Sequence, residues 1–280
     1  MKGNFYTIST PEEQRDVYIL DFSFKKPIMD FIFSHAKHVV WIDHHKTAFE
    51  MSGSAGLQRV TGTGWPLGEI GSHFTLLDNN KSGAMLAWEY FHPNTEVPML
   101  IQHIDDYDRW QFKIEGTKAF NKALWSYAPW TFEQWNANAY WMKEVSDKLI
   151  IEGAAILRAH DQNVQSVVKG GARECSICLP TSADYVTARF YASHAPERFN
   201  GLSANCPPHL TSDVGHELAT QSGTFGLCWC LSREGMIANC SLRSNGDYDV
   251  SAIAKAFGGG GHRNAAGFEV PIDTLLGWLK

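Results

Sequence analysis

Asp43, His44 and His45 stand in immediate succession behind the apolar run Val39-Val40-Trp41-Ile42. Asp21 stands in the same place behind Val17-Tyr18-Ile19-Leu20. Short apolar runs of this kind read as buried strands. Residues at their ends project into the crevice where open α/β sheets bind ligands. Carboxylates with one or two imidazoles suit Mn2+ or Mg2+ better than structural zinc. Two such ions about 4 Å apart clamp an in-line displacement at phosphorus and activate the attacking water. One Asp at a strand end is equally well a turn residue; two neighbouring strands ending in ligands point to a phosphate-handling metal site.

A third source of ligands follows in Asp105-Asp106-Tyr107-Asp108-Arg109-Trp110. Acidic side chains at a helix C-terminus oppose the helix dipole and need a counter-charge. One or more of Asp105, Asp106 and Asp108 is therefore expected at the metal. Asp106 is favoured as the ligand, with Asp108 in a hydrogen-bonding role. Near the other end of the chain, Gly258-Gly259-Gly260-Gly261 runs into His262-Arg263. Consecutive bare amides can form an anion-binding nest. Arg243, at the end of a strand, offers a planar fork to a phosphate.

These residues need a scaffold. Residues 17–21 and 38–43 are predicted parallel strands, and the stretch Pro27 to His35 a helix between them. Residues 49 to 72, rich in Gly, Ser and Thr, read as a long surface loop, and 74–77 as a short strand. Ser82 caps a helix through Phe91 that Pro93 stops. Another helix starts at Val97 and ends at the acidic turn. From Phe132 to about Val168 the apolar spacing is helical, in one long helix or two joined ones. Gly170-Gly171 mark the boundary to a smaller domain. There strands are expected at 174–179, 187–191, 225–231, 236–242 and 267–270, with helices at 213–220 and 249–257.

The fold class is thus α/β in two domains. A parallel-sheet catalytic domain spans 1–130, a helical linker 131–170, and a mixed-sheet α/β substrate-binding domain 171–280. The net charge of −6 does not resemble a protein held on long duplex DNA by charge. Aromatics are abundant between 110 and 141, but few Lys or Arg interleave with them. They read mostly as packing, which favours a short substrate over a long strand. All six cysteines lie in the C-terminal half and read as buried free thiols. With no leader-like segment and no apolar run of membrane-spanning length, the expectation is a cytoplasmic protein without a membrane partner.

The Asp43-His44-His45-Lys46 motif, followed by Gly258-Gly259-Gly260-Gly261-His262-Arg263-Asn264-Ala265-Ala266-Gly267-Phe268, resembles the DHH/DHHA1 phosphoesterases. These include RecJ-type single-strand exonucleases, nano-RNases, cyclic-dinucleotide phosphodiesterases and, with a different second domain, exopolyphosphatases. The resemblance implies manganese-dependent hydrolysis of phosphoesters in short oligonucleotides, nucleotides or other phosphorylated small molecules. It implies Asp21, Asp43, His44 and Asp106 as metal ligands, with His45 beside the scissile phosphate. Arg243, Gly259, Gly260, Gly261, His262 and Arg263 would grip the substrate. Family members carry a further Asp motif on a strand ahead of the one at 17–21, and none of the sixteen residues before Val17 shows it. One metal is then expected to be weak or lost and activity impaired or absent, and a catalytically impaired nucleotide-binding protein is one alternative to the phosphoesterase. A sheet edge would be exposed for a homodimer to cover. An exopolyphosphatase-like phosphoanhydride hydrolase is the alternative activity.

Overall fold

The computed structural model describes residues 16–52, 60–62, 73–138, 143–180, 197–232 and 234–279. The chain divides into two compact units, one ending at Leu157 and one beginning at Arg158.

The first unit is built on β1 (Asp16–Leu20), α1 (Lys26–His35), β2 (His38–Asp43), α2 (Lys46–Ser52), β3 (Val60–Gly62) and β4 (Phe74–Leu77). The sheet order is β1-β2-β4-β3. Strands β1, β2 and β4 are parallel and β3 is antiparallel at the edge. Both faces of β2 are covered, which is why its sequence is a continuous apolar run rather than an alternating one. Val39 and Trp41 join Met29, Phe33, Ala48 and Phe49 on one face. Val40 and Ile42 join Leu76 and Leu86 on the other. The α1 helix begins as a proline-opened helix should, because the missing Pro27 amide would have had no partner in the first turn.

Four helices and the start of a fifth complete this unit: α3 (Gly83–Phe91), α4 (Met99–Asp108), α5 (Thr117–Ser126), α6 (Phe132–Asn138) and α7 (Lys143–Gly171). Ser82 caps α3 as expected, its Oγ accepting from Met85 N at 3.2 Å. Leu100, Phe120, Ala123, Leu124 and Leu149 form the apolar seam of α4, α5 and α7. At Gly153 a Cβ would fall 1.8 Å from Ala119 O. A glycine there lets α7 lie against α5. The 29 residues of α7 carry the chain from the first unit into the second.

The second unit contains β5 (Arg173–Cys178), β6 (Arg198–Asn205), α8 (Thr211–Ser222), β7 (Phe225–Leu231), β8 (Ile237–Ser244), α9 (Val250–Ala256), β9 (Gly260–His262), β10 (Ala265–Pro271) and α10 (Ile272–Leu276). The six strands run in the order β5-β6-β7-β8-β10-β9. Only β6 and β7 pair in parallel among them. One face packs Leu227, Leu242, Phe268 and Trp278 with Val250 and Ile253 of α9. The other packs Ala204, Cys206 and Cys228 against Val164 and Val168 of α7 and Val214 and Leu218 of α8. The six cysteines are free, four of them buried. No described helix is long and apolar enough to cross a membrane.

The architecture is the expected two-sheet α/β one. Local differences have physical causes. The expected loop at 49–72 begins inside α2, where Ala48 and Phe49 bury against the sheet, and includes β3. Its remaining residues, and the expected strand at 187–191, lie outside the described residues. Strand β6 has no apolar alternation to announce it, since Gly201 passes close to Phe225, whose carbonyl oxygen a Cβ would approach to 2.6 Å. The acidic residues 105, 106 and 108 belong to the last turns of α4 rather than to a turn beyond it.

Candidate metal centre

The three parallel strands of the first sheet all run into an aspartate at their C-terminal ends, Asp21, Asp43 and Asp78. Asp43 is fully buried, and its carboxylate organises the turn that follows. Oδ1 accepts from His44 N at 2.7 Å, His45 N at 3.1 Å and His45 Nδ1 at 2.6 Å. Oδ2 accepts from Ser23, whose Oγ in turn accepts from Trp41 Nε1 at 3.2 Å. Burial works to raise the Asp43 pKa, but the bonds from His45 and Ser23 outweigh it and hold the carboxyl below its ordinary value. The same bond, donated to Asp43, raises the His45 pKa against the effect of burial, helped by the charges of Asp43, Asp21 and Asp108.

Asp21 reaches the cluster through an unusual backbone. Its φ is 54°, a left-handed conformation that few non-glycine residues adopt. Its amide donates to Ile42 O at 2.8 Å, which ties the end of β1 to β2. The carboxylate then lies at the start of α3, directly over Gly83. A Cβ on Gly83 would be 2.3 Å from Asp21 Cγ and Oδ1. A carboxylate at a helix N-terminus is favourable.

Ligand atoms of Asp21, Asp43 and His45 all lie within 4.8 Å of one another. Beside them, His44 Nε2 is 3.2 Å from Asp21 Oδ1 and 3.4 Å from Asp108 Oδ2. Asp108 feels the loss of water around its carboxyl and the negative charge of Asp21. Together these raise its pKa more than His44 lowers it. Carboxylates gathered so that one of them resists ionising are a donor set that a divalent cation would satisfy.

Asp106, the aspartate favoured from sequence, points elsewhere. It is buried, and its carboxylate accepts from Lys113 N at 2.8 Å, Ile114 N at 3.1 Å and Thr117 Oγ1 at 2.7 Å. Burial opposes its charge, yet these bonds hold its pKa below the ordinary value. It locks the connection from α4 to α5, and Asp108 is the aspartate beside His44. Asp105 is also engaged, by Arg109 at 2.6 Å and by Ser82 N at 2.6 Å. Sequence reading overlooked Asp78, which accepts from Asn80 N at 2.9 Å and shapes the turn into α3. It also overlooked Gly83, for which a Ser-Gly at a helix start was the only available signal.

In the second unit, Arg243, Ala265 and His262 are cross-strand neighbours on β8, β10 and β9 and so share one face of the sheet. Arg243 Nη1 donates to Leu242 O at 2.9 Å and Nη2 to Ser212 Oγ at 3.0 Å. The nest of bare amides expected at Gly258–Gly261 does not form as such. Gly258 N and Gly259 N donate to Lys255 O and Ala254 O at 3.0 and 2.9 Å, closing α9. Gly260 and Gly261 are strand residues paired with Gly267 and Ala266. The glycines serve close approach: a Cβ on Gly259 would be 2.1 Å from Gly267 O. Arg263 Nη1 pairs with Asp247 at 2.7 Å.

The DHHA1 domain model matches residues 218–276, which run from α8 to α10. An uncharacterised protein, R106, of Acanthamoeba polyphaga mimivirus is 28% identical over 257 residues, which are 90% of this chain and 52% of that protein. The chain thus spans about half the length of the curated relative it matches. Among solved structures, an exopolyphosphatase-related protein from Bacteroides fragilis is 14% identical, with 95% of this chain and 70% of that one covered at a TM-score of 0.39. PggH, a pGpG-specific phosphodiesterase from Vibrio cholerae, is 9% identical, with 94% of each chain covered at a TM-score of 0.37.

Proposed function

We propose that this chain carries the centre of a divalent-metal-dependent phosphoesterase acting on nucleotides or short single-stranded oligonucleotides. The observation that carries the reading is the convergence of Asp21, Asp43 and His45 at the ends of two adjacent parallel strands. Asp21, Asp43 and His45 would hold the ion, Mn2+ or Mg2+, with His44 and Asp108 at its flank. When bound it supplies Lewis-acid stabilisation of the charge that builds on a phosphoryl oxygen.

The chain's own residues do the positioning. Asp43, fixed by four hydrogen bonds, cannot swing away when substrate approaches. His44 is the imidazole held between Asp21 and Asp108. In the proposed complex its Nε2 proton serves a phosphate oxygen. The resemblance implied His44 as a ligand and His45 beside the phosphate; the proposed ligands instead follow the group Asp21, Asp43 and His45, whose ligand atoms lie within 4.8 Å of one another. In the second unit, Arg243, His262 and Arg263 are assigned to the part of the substrate beyond the scissile bond, with Gly259, Gly260 and Gly261 shaping the backbone that carries His262. Arg243 is the anchor of that grip, since a guanidinium fork matches a phosphate.

The test is hydrolysis of a dinucleotide, a long single strand and inorganic polyphosphate with Mn2+, by the chain and by Asp43→Asn. The reading expects Mn2+-dependent turnover of the dinucleotide, faster than that of the long strand and lost in the variant. Turnover of polyphosphate alone, or turnover indifferent to Asp43, contradicts it.

A further inference from the structure

Four non-glycine residues among those described have a left-handed backbone: Asp21, Asn94, Trp110 and Phe112. Asn tolerates this conformation, and Asp21 is part of the metal cluster. Trp110 and Phe112 have φ of 56° and 51°. Both are bulky aromatics for which such a backbone is strained. The strain is imposed by the network around Asp106. Its carboxylate accepts from Lys113 N and Ile114 N, and its carbonyl from Gln111 N at 2.9 Å. Trp110 N donates back to Tyr107 O at 2.9 Å.

Among the described residues, Tyr107, Trp110 and Phe112 form a small aromatic group beside, rather than within, the apolar clusters of the two units. The Trp110 ring is 5.6 Å from Tyr107 and 4.8 Å from Phe112, at 69° to each, so both neighbours meet it edge-on. Lys118 Nζ stands 4.3 Å from the Phe112 centroid and 6.0 Å from that of Trp110. Two residues before Trp110 is Asp108, whose carboxylate is 3.4 Å from His44. A residue two positions along the chain is at most about 7 Å away at Cα, the scale that separates a base from its own phosphate.

We infer that Trp110 is the platform on which the aromatic base of the substrate stacks beside the metal centre, with Phe112 and Lys118 fixing its position. The inference rests on the phosphoesterase reading above and gives it a determinant of substrate class. A half-buried indole braced edge-on by Tyr107 and Phe112 has the rigidity of a stacking surface, and any base has a π-face to lay on it. The neighbouring ammonium favours the phosphates attached to that base.

The experiment compares calorimetric binding of adenosine monophosphate and ribose 5-phosphate, with Mn2+ titrated separately. It uses the chain, Trp110→Phe and Trp110→Leu. The phenyl ring keeps a π-face, and leucine keeps apolar bulk without one, so the turn retains its packing in both. The expected result is a preference for the base-bearing ligand of about tenfold in the chain and in Trp110→Phe, lost in Trp110→Leu, with equal Mn2+ affinity in all three. Mn2+ binding accompanied by no base preference, or by the same preference in Trp110→Leu, overturns the platform. A Trp110-dependent preference without Mn2+ binding would instead remove the phosphoesterase reading and leave the platform standing.

Discussion

Gly83 has no side chain because the Asp21 carboxylate occupies the space where one would be, 2.3 Å from an ideal Cβ. The contact joins the end of β1 to the start of α3 and sets where Asp21 meets His44. Gly83→Ala should therefore expel the Asp21 carboxylate while leaving the helix intact, since alanine is the better helix former by about 1 kcal/mol. Mn2+ affinity measured by calorimetry should fall at least tenfold, in the range seen when groups that orient metal ligands are lost. The melting temperature should hold. Unchanged affinity would show that Asp21 is not a ligand.

Asp106 and Asp108 should separate cleanly. Asp106→Asn weakens three hydrogen bonds at a buried site. Urea unfolding should show a loss of about 1–3 kcal/mol. Asp108→Asn should leave stability within about 0.5 kcal/mol and lower Mn2+ affinity. The reverse pattern would restore Asp106 as the ligand.

His103 gives the first unit a pH dependence of known sign. It is buried, with Nδ1 2.9 Å from Thr117 Oγ1 and its ring stacked on Phe120. Burial lowers its pKa more than the Asp106 charge raises it. Below about 6.5 the unfolded chain takes a proton that the folded one resists, so this group makes stability fall as pH falls. His45 acts in the opposite sense, its raised pKa stabilising the fold at low pH until it loses its proton as pH rises. Urea unfolding between pH 7.5 and 5 should therefore show a shallower acid loss in His103→Gln than in the parent chain. An equal or steeper loss contradicts the assignment. Asp106, with its lowered pKa, adds a further loss only below about 3.8.

The second unit holds α8 against its sheet through two glycines. A Cβ on Gly226 would be 2.2 Å from Gly215 O, and one on Gly215 would be 2.7 Å from Arg243 Cγ. Gly226→Ala meets backbone and should cost about 1–3 kcal/mol by overpacking. Gly215→Ala meets a movable side chain instead. It should shift Arg243 and raise KM for a dinucleotide at nearly unchanged thermal midpoint. Equal destabilisation by the two substitutions would deny Arg243 its freedom to move.

Strand β2 is legible to the residue because burial on both faces writes an unbroken apolar run, and α3 because Ser82 and Pro93 punctuate it. Strand β6 is not, because its contacts are made by backbone passing over Gly201. The Asp43-His44-His45 turn announces the candidate metal cluster. The choice between Asp106 and Asp108 cannot be read, since helix face and the register of the next loop decide it together. Hydrogen bonds from Lys113, Ile114 and Thr117 are tertiary facts with no local signature. The left-handed backbone at Asp21 and Trp110 is hidden for the same reason. Residue type argues against it, and only the surrounding bonds impose it.

The central claim is that Asp21, Asp43 and His45 form one metal centre. Calorimetric titration of Mn2+ into this chain and into Asp43→Asn tests it most directly. The account predicts saturable binding in the first and at least tenfold weaker binding in the second, with matching circular dichroism spectra. Equal affinity in both, or no binding to either, would contradict it.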